Sequence, residues 1–176
     1  MFLDAIASRQ AFGRGIDGYV VATHTNLGPV RTTYVLAAMV QEAYELRLSQ
    51  LGYDSSQKLR YFERNSSSVI HSMAADEPIP LAISDRLNFE FFVVAPVLPN
   101  GWSLFGEMDK WVSLSADRFS GLSATDDGFR VEARGIAGEV LHLGFSDQHG
   151  QLQEAECTVG ADNTVTVAVA FGAIGC

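Results

Sequence analysis

The stretch LNFEFFVVAPVLPNGWSLFGEMDKW, residues 87–111, indicates the fold class because its first half alternates with the period of a β-strand. One face of that strand carries four apolar residues, Leu87, Phe89, Phe91 and Val93. Asn100-Gly101 is a strong hairpin signal, so residues 102–109 are predicted to be the return strand of a hairpin. We therefore expect the centre of a β-sheet protein here, with Phe89 and Phe91 in its core.

The same alternation continues towards the C-terminus in four further segments, 129–134, 139–145, 152–159 and 164–171. Turn residues separate these segments at 126–128, 148–150 and 161–163. Short strands at this spacing, with no helix between them, are typical of an antiparallel β-sandwich. We assign the predicted β-sandwich domain to residues 65–176.

Residues 1–64 are predicted to form an N-terminal arm with one long amphipathic helix over about 29–51. Pro29 suits the first turn of that helix and Gly52 suits its end. Apolar residues recur along it with a period near 3.6, which indicates one buried face. The arm also contains GRGIDG at 13–18, the spacing of a dinucleotide-binding loop. The segment before it reads as a helix and the segment after it as a strand, the reverse of the order such a site needs, so we interpret it as a turn.

Composition limits the possible partners. The chain of 176 residues has a net charge of −9 and no basic run, which disfavours nucleic acid and anionic membranes. No window approaches 18 apolar residues, so no membrane span is expected. The N-terminus does not read as a signal peptide, and the two cysteines, Cys157 and Cys176, form neither a zinc signature nor a dense disulfide scaffold. We therefore expect a cytoplasmic protein.

Few residues are candidates for chemistry. The four histidines show no metal-ligand spacing, and no nucleophile elbow occurs, so no metal, cofactor or catalytic residue is assigned. Two carboxylate pairs could each share one face of a strand, Glu107 with Asp109 and Glu154 with Glu156. Glycosidases act through two carboxylates, so either pair is a candidate catalytic pair. The alternative is that both pairs lie on ordinary solvent-exposed faces of strands.

The two tryptophans are candidate ligand contacts because sugar rings have apolar C–H faces that stack on aromatic platforms. Trp111 is the stronger candidate, since it follows Asp109 and Lys110 near a predicted strand edge. The predicted ligand-binding residues are Trp111, Trp102 and Asp109. A tryptophan in a sandwich more often belongs to the core, and that interpretation stays open for both residues.

Several quoted pieces resemble the last β-domain of the family of raffinose synthases, seed imbibition proteins and alkaline α-galactosidases. These pieces are EPIPLAISDRLNFEFFVVAPV, NGWSLFGEMDKWVSLS, FRVEARGIAGEVLHLGFS and the closing VTVAVAFG. The resemblance covers about residues 61–172 and rests on pattern more than on invariant residues. It departs from the family in having no Lys-x-Asp motif, and the chain is shorter than a catalytic barrel of about 250 residues.

The resemblance implies a β-sandwich that supports a catalytic barrel in α-galactoside metabolism and is inactive without it. The implied partners are galactosides and that missing barrel. Two alternatives stay open. One is a free-standing carbohydrate-binding or protein-interaction sandwich, and the other is a small enzyme that uses Glu107 and Asp109.

Overall fold

β-Strands in antiparallel sheets dominate the chain, as the alternating sequence predicts. The computed structural model describes residues 8–11, 19–38, 40, 44–64, 69–81, 88–170 and 173–176. The chain divides into two compact units. The first comprises Met1–His24 and Thr33–Val94, and the second comprises Thr25–Thr32 and Ala95–Cys176.

The first unit is built on a six-stranded sheet and a separate strand pair. Its strands are β1 (Ser8–Ala11), β2 (Tyr19–Leu27), β3 (Val30–Ala38), β4 (Tyr44–Arg47), β5 (Lys58–Glu63), β6 (Ile70–Ala74), β7 (Pro78–Leu81) and β8 (Phe89–Pro96). The sheet order is β1-β2-β3-β8-β5-β6, and β4 pairs with β7. Buried apolar side chains from both parts, such as Val35, Leu46, Leu59, Ile79 and Phe92, form one core.

The helix predicted over 29–51 is not shown, and the described residues of this segment form other structure. Val30–Ala38 is strand β3, which pairs with β8, and Tyr44–Arg47 is strand β4. Only Leu48–Leu51 forms a turn of 3-10 helix, which ends at Gly52 as predicted. Valine, threonine and tyrosine favour a strand, and pairing with β8 outweighs the helical spacing. Met39 and residues 41–43 lie outside the described residues.

The N-terminal arm differs from its prediction in a second place. Ser8–Ala11, expected within a helical segment, is strand β1 and pairs with β2. Strand β2 contains the segment that was predicted to be a strand after the glycines. The GRGIDG motif at 13–18 lies outside the described residues.

The hairpin predicted around Asn100-Gly101 is wrong. A turn does form there, because the Gly101 amide donates to the Leu98 carbonyl. Strand β8 pairs with β3, however, and the strand that follows the turn belongs to a different sheet. Phe91 is 7% exposed as expected, but Phe89 is 39% exposed because it begins β8 at the edge of the buried segment.

The second unit contains two antiparallel sheets. Its strands are β9 (Ser103–Glu107), β10 (Phe119–Thr125), β11 (Gly128–Arg134), β12 (Val140–Ser146), β13 (Leu152–Thr158), β14 (Thr164–Ala170) and β15 (Ala173–Gly175). One sheet has the order β10-β11-β14-β15, and the other has the order β13-β12-β9. The strands and turns predicted from residue 126 onwards are confirmed in the described residues, and Phe171 lies outside them.

Both sheets of the second unit contribute to one hydrophobic core. Alternate residues of β11 and β14 (Phe129, Val131, Ala133, Val165, Val167 and Val169) belong to it. So do alternate residues of β9, β12 and β13, among them Leu104, Leu141, Leu143, Phe145 and Cys157. The period-two pattern in the sequence therefore identifies the inner faces of β11, β12 and β14 correctly.

A disulfide bond joins Cys157 of β13 to Cys176, with the two Cα atoms 5.6 Å apart. That separation is usual for a disulfide. The sequence spacing had indicated no pairing between these two residues. Their positions in the second unit bring them together across 19 residues of sequence.

We predict that Phe91→Ala lowers the free energy of unfolding by about 3–5 kcal/mol, because it removes a buried ring that stacks near Tyr34. Phe89→Ala is the matched control on the same strand and should cost about 1 kcal/mol or less. Urea titration of both variants measures the difference. Equal losses would contradict the placement of Phe91 inside and Phe89 at the surface.

Candidate functional site

A cleft of about 420 Å³ lies on the outer face of the three-stranded sheet, and we call it the acidic cleft. Its lining residues are Met108, Asp109, His142, Leu143, Glu154, Ala155 and Glu156. Strand register explains the grouping, since His142 is directly opposite Glu156 and Gly144 is opposite Glu154. His142 Nδ1 is 3.4 Å from Glu156 Oε1, with both side chains largely exposed. The cleft is therefore open to water and rich in hydrogen-bond acceptors.

Gly144 shapes the floor of this cleft because it leaves room for Met108. A Cβ atom at Gly144 would overlap Sδ of Met108, so a side chain at this position would require the Met108 thioether to move. The Met108 amide also donates to the His142 carbonyl at 2.8 Å. These contacts fix the start of the segment 108–118, which we call the Trp111 loop.

A close approach of backbones anchors the middle of the Trp111 loop. Gly106 has φ 89° and faces the Ser113 carbonyl at a distance that would exclude a Cβ atom. The Glu107 amide donates to the Ser113 carbonyl at 2.8 Å, and the Ser113 hydroxyl donates to the Phe105 carbonyl. Leu114 is buried in the core of the second unit. The loop is thus held at several points, with Trp111 between them.

A buried ion pair closes the far end of the loop. Glu107 is 3% exposed, and its Oε2 lies 2.7 Å from Nε of Arg118. Nη2 of Arg118 donates to Oε1 of Glu107 at 2.9 Å and to Oε1 of Glu139 at 2.5 Å. One guanidinium therefore bridges a buried and a partly exposed carboxylate.

The two carboxylates of this bridge respond differently to their surroundings. Burial raises the pKa of Glu107, although hydrogen bonding and charge from Arg118 act against that rise. Hydrogen bonds from Arg118 and from the Ile136 amide lower the pKa of Glu139. Glu107 is consequently a structural group in this geometry, since its carboxylate is occupied by Arg118 and withdrawn from solvent.

The structure places the two tryptophans in contrasting positions. Trp111 is 55% exposed on its loop. Trp102 is 5% exposed and packs against Phe129 and Phe145, with ring centroids 6.3 Å and 6.0 Å apart. Trp102 also lines a smaller cleft of about 280 Å³, which we call the Trp102 cleft. Of the two tryptophans, Trp111 is the one with a large exposed surface.

The fold groups the predicted acidic residues differently from the two pairs that the sequence indicates. Asp109, Glu154 and Glu156 line the acidic cleft together with His142, but Glu107 is not among the lining residues. The pair Glu107 and Asp109 is therefore split between a buried ion pair and an exposed surface. Carboxylates and an imidazole at an open cleft can bind hydroxyl groups or other donors. Arg118, Met108 and Gly144 complete this arrangement, and no spacing in the sequence indicates their roles.

No protein-family model matches the sequence, and no curated protein matches it significantly. Within the described residues, no helix has the length and apolar character needed to span a membrane. In the same residues, no cluster of three or more His, Cys, Asp or Glu side chains is arranged to hold a metal ion.

We predict that Arg118→Met lowers the free energy of unfolding by about 3–5 kcal/mol at neutral pH, because Glu107 then stays buried without its cation. Arg134→Met is the control, since Arg134 pairs with Glu132 at an exposed site and should cost about 1 kcal/mol or less. Urea titration measures both.

Removal of the buried charge should relieve this loss. The double variant Glu107→Gln with Arg118→Met is expected to be more stable than Arg118→Met alone. A double variant no more stable than the single one would show that Arg118 acts through packing and not through its charge.

Proposed function

We propose that this chain is the β-sandwich portion of a protein of α-galactoside metabolism, similar to raffinose synthases and alkaline α-galactosidases. Catalysis in such a protein belongs to a barrel domain outside this sequence, and the sandwich alone is inactive. The two sheets of the second unit form the two layers of the sandwich. The expected location is the cytoplasm, and the expected ligands are galactosides.

The observation that carries this proposal is that three of the four resembling segments coincide with strands of the second unit, whereas the fourth, at 77–97, belongs largely to the first unit. Residues 100–115 contain β9 and most of the Trp111 loop, and residues 129–146 run from β11 to the end of β12. Residues 165–172 contain most of β14. Inner-face residues of β9, β11, β12 and β14 share one core, which supports a two-layer sandwich. The carboxylate Glu107 is bound to Arg118, which supports a structural and not a catalytic role for it.

We predict that the chain alone neither hydrolyses nor transfers galactose from raffinose, melibiose or a nitrophenyl α-galactoside. Product analysis after prolonged incubation tests this, and peptide mapping of the protein from its source tests for an attached barrel. A native mass of 19.1 kDa would contradict the proposal. Turnover that disappears in the double variant Glu107→Gln with Asp109→Asn would instead support the small enzyme.

A free-standing carbohydrate-binding sandwich is the second candidate, and the exposure of Trp111 favours it. The exposed Trp111 lies on an anchored loop whose residue Asp109 lines the acidic cleft. An aromatic face for the apolar side of a sugar ring, with carboxylates for its hydroxyl groups, is the chemistry that sugar recognition requires. Because the loop is held by Ser113 and Arg118, little conformational entropy would be lost on binding.

We predict that galactosides at millimolar concentration quench tryptophan fluorescence through Trp111. Trp111→Phe should abolish the response, whereas Trp102→Phe, which changes the buried indole, should retain it. Asp109→Asn should weaken binding by removing an acceptor at the cleft. Absence of any response in the unaltered protein, or an undiminished response in Trp111→Phe, would rule out Trp111 as the platform.

A further inference from the structure

The disulfide between Cys157 and Cys176 links the two sheets of the second unit. Cys157 belongs to β13 in the three-stranded sheet. Cys176 directly follows β15, which is the edge strand of the four-stranded sheet. The bond therefore ties the C-terminal end of one sheet to a strand of the other.

Strand β15 is short and exposed. It contains three residues, all of them exposed, and within the described part of the chain it pairs with β14 alone. A short edge strand with few hydrogen bonds and little burial opens locally at low cost in free energy. The disulfide thus adds a second constraint, beside pairing with β14, that keeps β15 on the edge of its sheet.

Strand β15 also forms one wall of the Trp102 cleft. Ile174, at the centre of β15, lies opposite Val169 of β14, and both residues line the cleft with Trp102 and Phe145. Polar residues complete the lining, among them Gln148, His149 and Gln153. At about 280 Å³ the cleft is slightly smaller than the range of about 300–1,000 Å³ usual for ligand pockets. Displacement of Ile174 would enlarge it and expose the indole.

From these contacts we infer that the Cys157–Cys176 disulfide is a redox-controlled clasp that holds β15 against the Trp102 cleft. Reduction by a dithiol releases β15 and opens the cleft. The closed form is the oxidised form, in which Ile174 keeps Trp102 shielded from solvent.

The difference in exposure between the two cysteines determines which sulfur atom the reductant attacks. Cys157 is fully buried and Cys176 is exposed, so a thiolate of the reductant attacks Sγ of Cys176. The disulfide breaks, and Cys157 leaves as a thiolate that takes up a proton. The second thiol of the reductant then displaces Cys176 from the mixed disulfide. The protein gains two thiols, and the reductant becomes a cyclic disulfide.

Acrylamide quenching of Trp102 tests the clasp in the full chain carrying Trp111→Phe, which leaves Trp102 as the one tryptophan. Dithiothreitol should raise the quenching constant about two-fold or more, because local opening exposes an indole that is shielded in the oxidised form. Cys176→Ser in the same background should show the raised constant without reductant and no further change with it. Ile174→Ala, with the disulfide intact, should raise the constant as well.

Hydrogen exchange separates a local clasp from general destabilisation. Reduction should accelerate exchange of the β15 amides and leave the β11–β14 pairing protected, since that ladder does not involve β15. Unchanged quenching after a thiol titration has shown two free thiols would overturn the inference. So would two free thiols before reduction, or faster exchange throughout the second unit.

Discussion

Contact among three aromatic rings holds the two sheets of the second unit together. Phe129 comes from the four-stranded sheet and Phe145 from the three-stranded sheet, and their centroids are 5.6 Å apart in an edge-to-face arrangement. Trp102 packs on both rings from the segment that precedes β9. Aromatic rings bury large apolar areas and favour this geometry, so the cluster aligns the sheets as well as stabilising them. The acidic cleft lies on the outer face of the three-stranded sheet that this cluster positions.

The Trp111 loop shows how a surface feature is positioned by buried chemistry. Gly106 lets the loop backbone approach β9 more closely than a side chain would permit, and Gly144 leaves room for the Met108 side chain. Burial of the Glu107 carboxylate opposes folding, and the guanidinium of Arg118 offsets that cost. The same guanidinium reaches Glu139, so the loop is tied to the turn before β12. The loop that carries the exposed Trp111 is thereby held by contacts on both sides of that residue.

The alternation of apolar and polar residues predicted the buried positions correctly where a strand has one solvent-exposed face. In β11 and β14 the buried residues alternate with less buried ones at most positions, and the turn at Asp126-Asp127 joins β10 to β11 as its residues indicate. The alternation pattern failed to predict a strand where both faces of the strand are buried. In β3 most residues are buried on either side, so its apolar residues lack a period of two and were interpreted as a helix.

The sequence by itself determined that the chain is mainly β, which faces of the later strands are apolar, and where their turns lie. These properties depend on residues near one another in sequence, through side-chain alternation and turn preferences. Only the tertiary structure decided that β8 pairs with β3 and not with β9, that Arg118 neutralises Glu107, and that Cys157 meets Cys176. Each of these pairings joins residues far apart along the chain. Their free energy arises when the sheets assemble and bury both partners, so no local pattern records it.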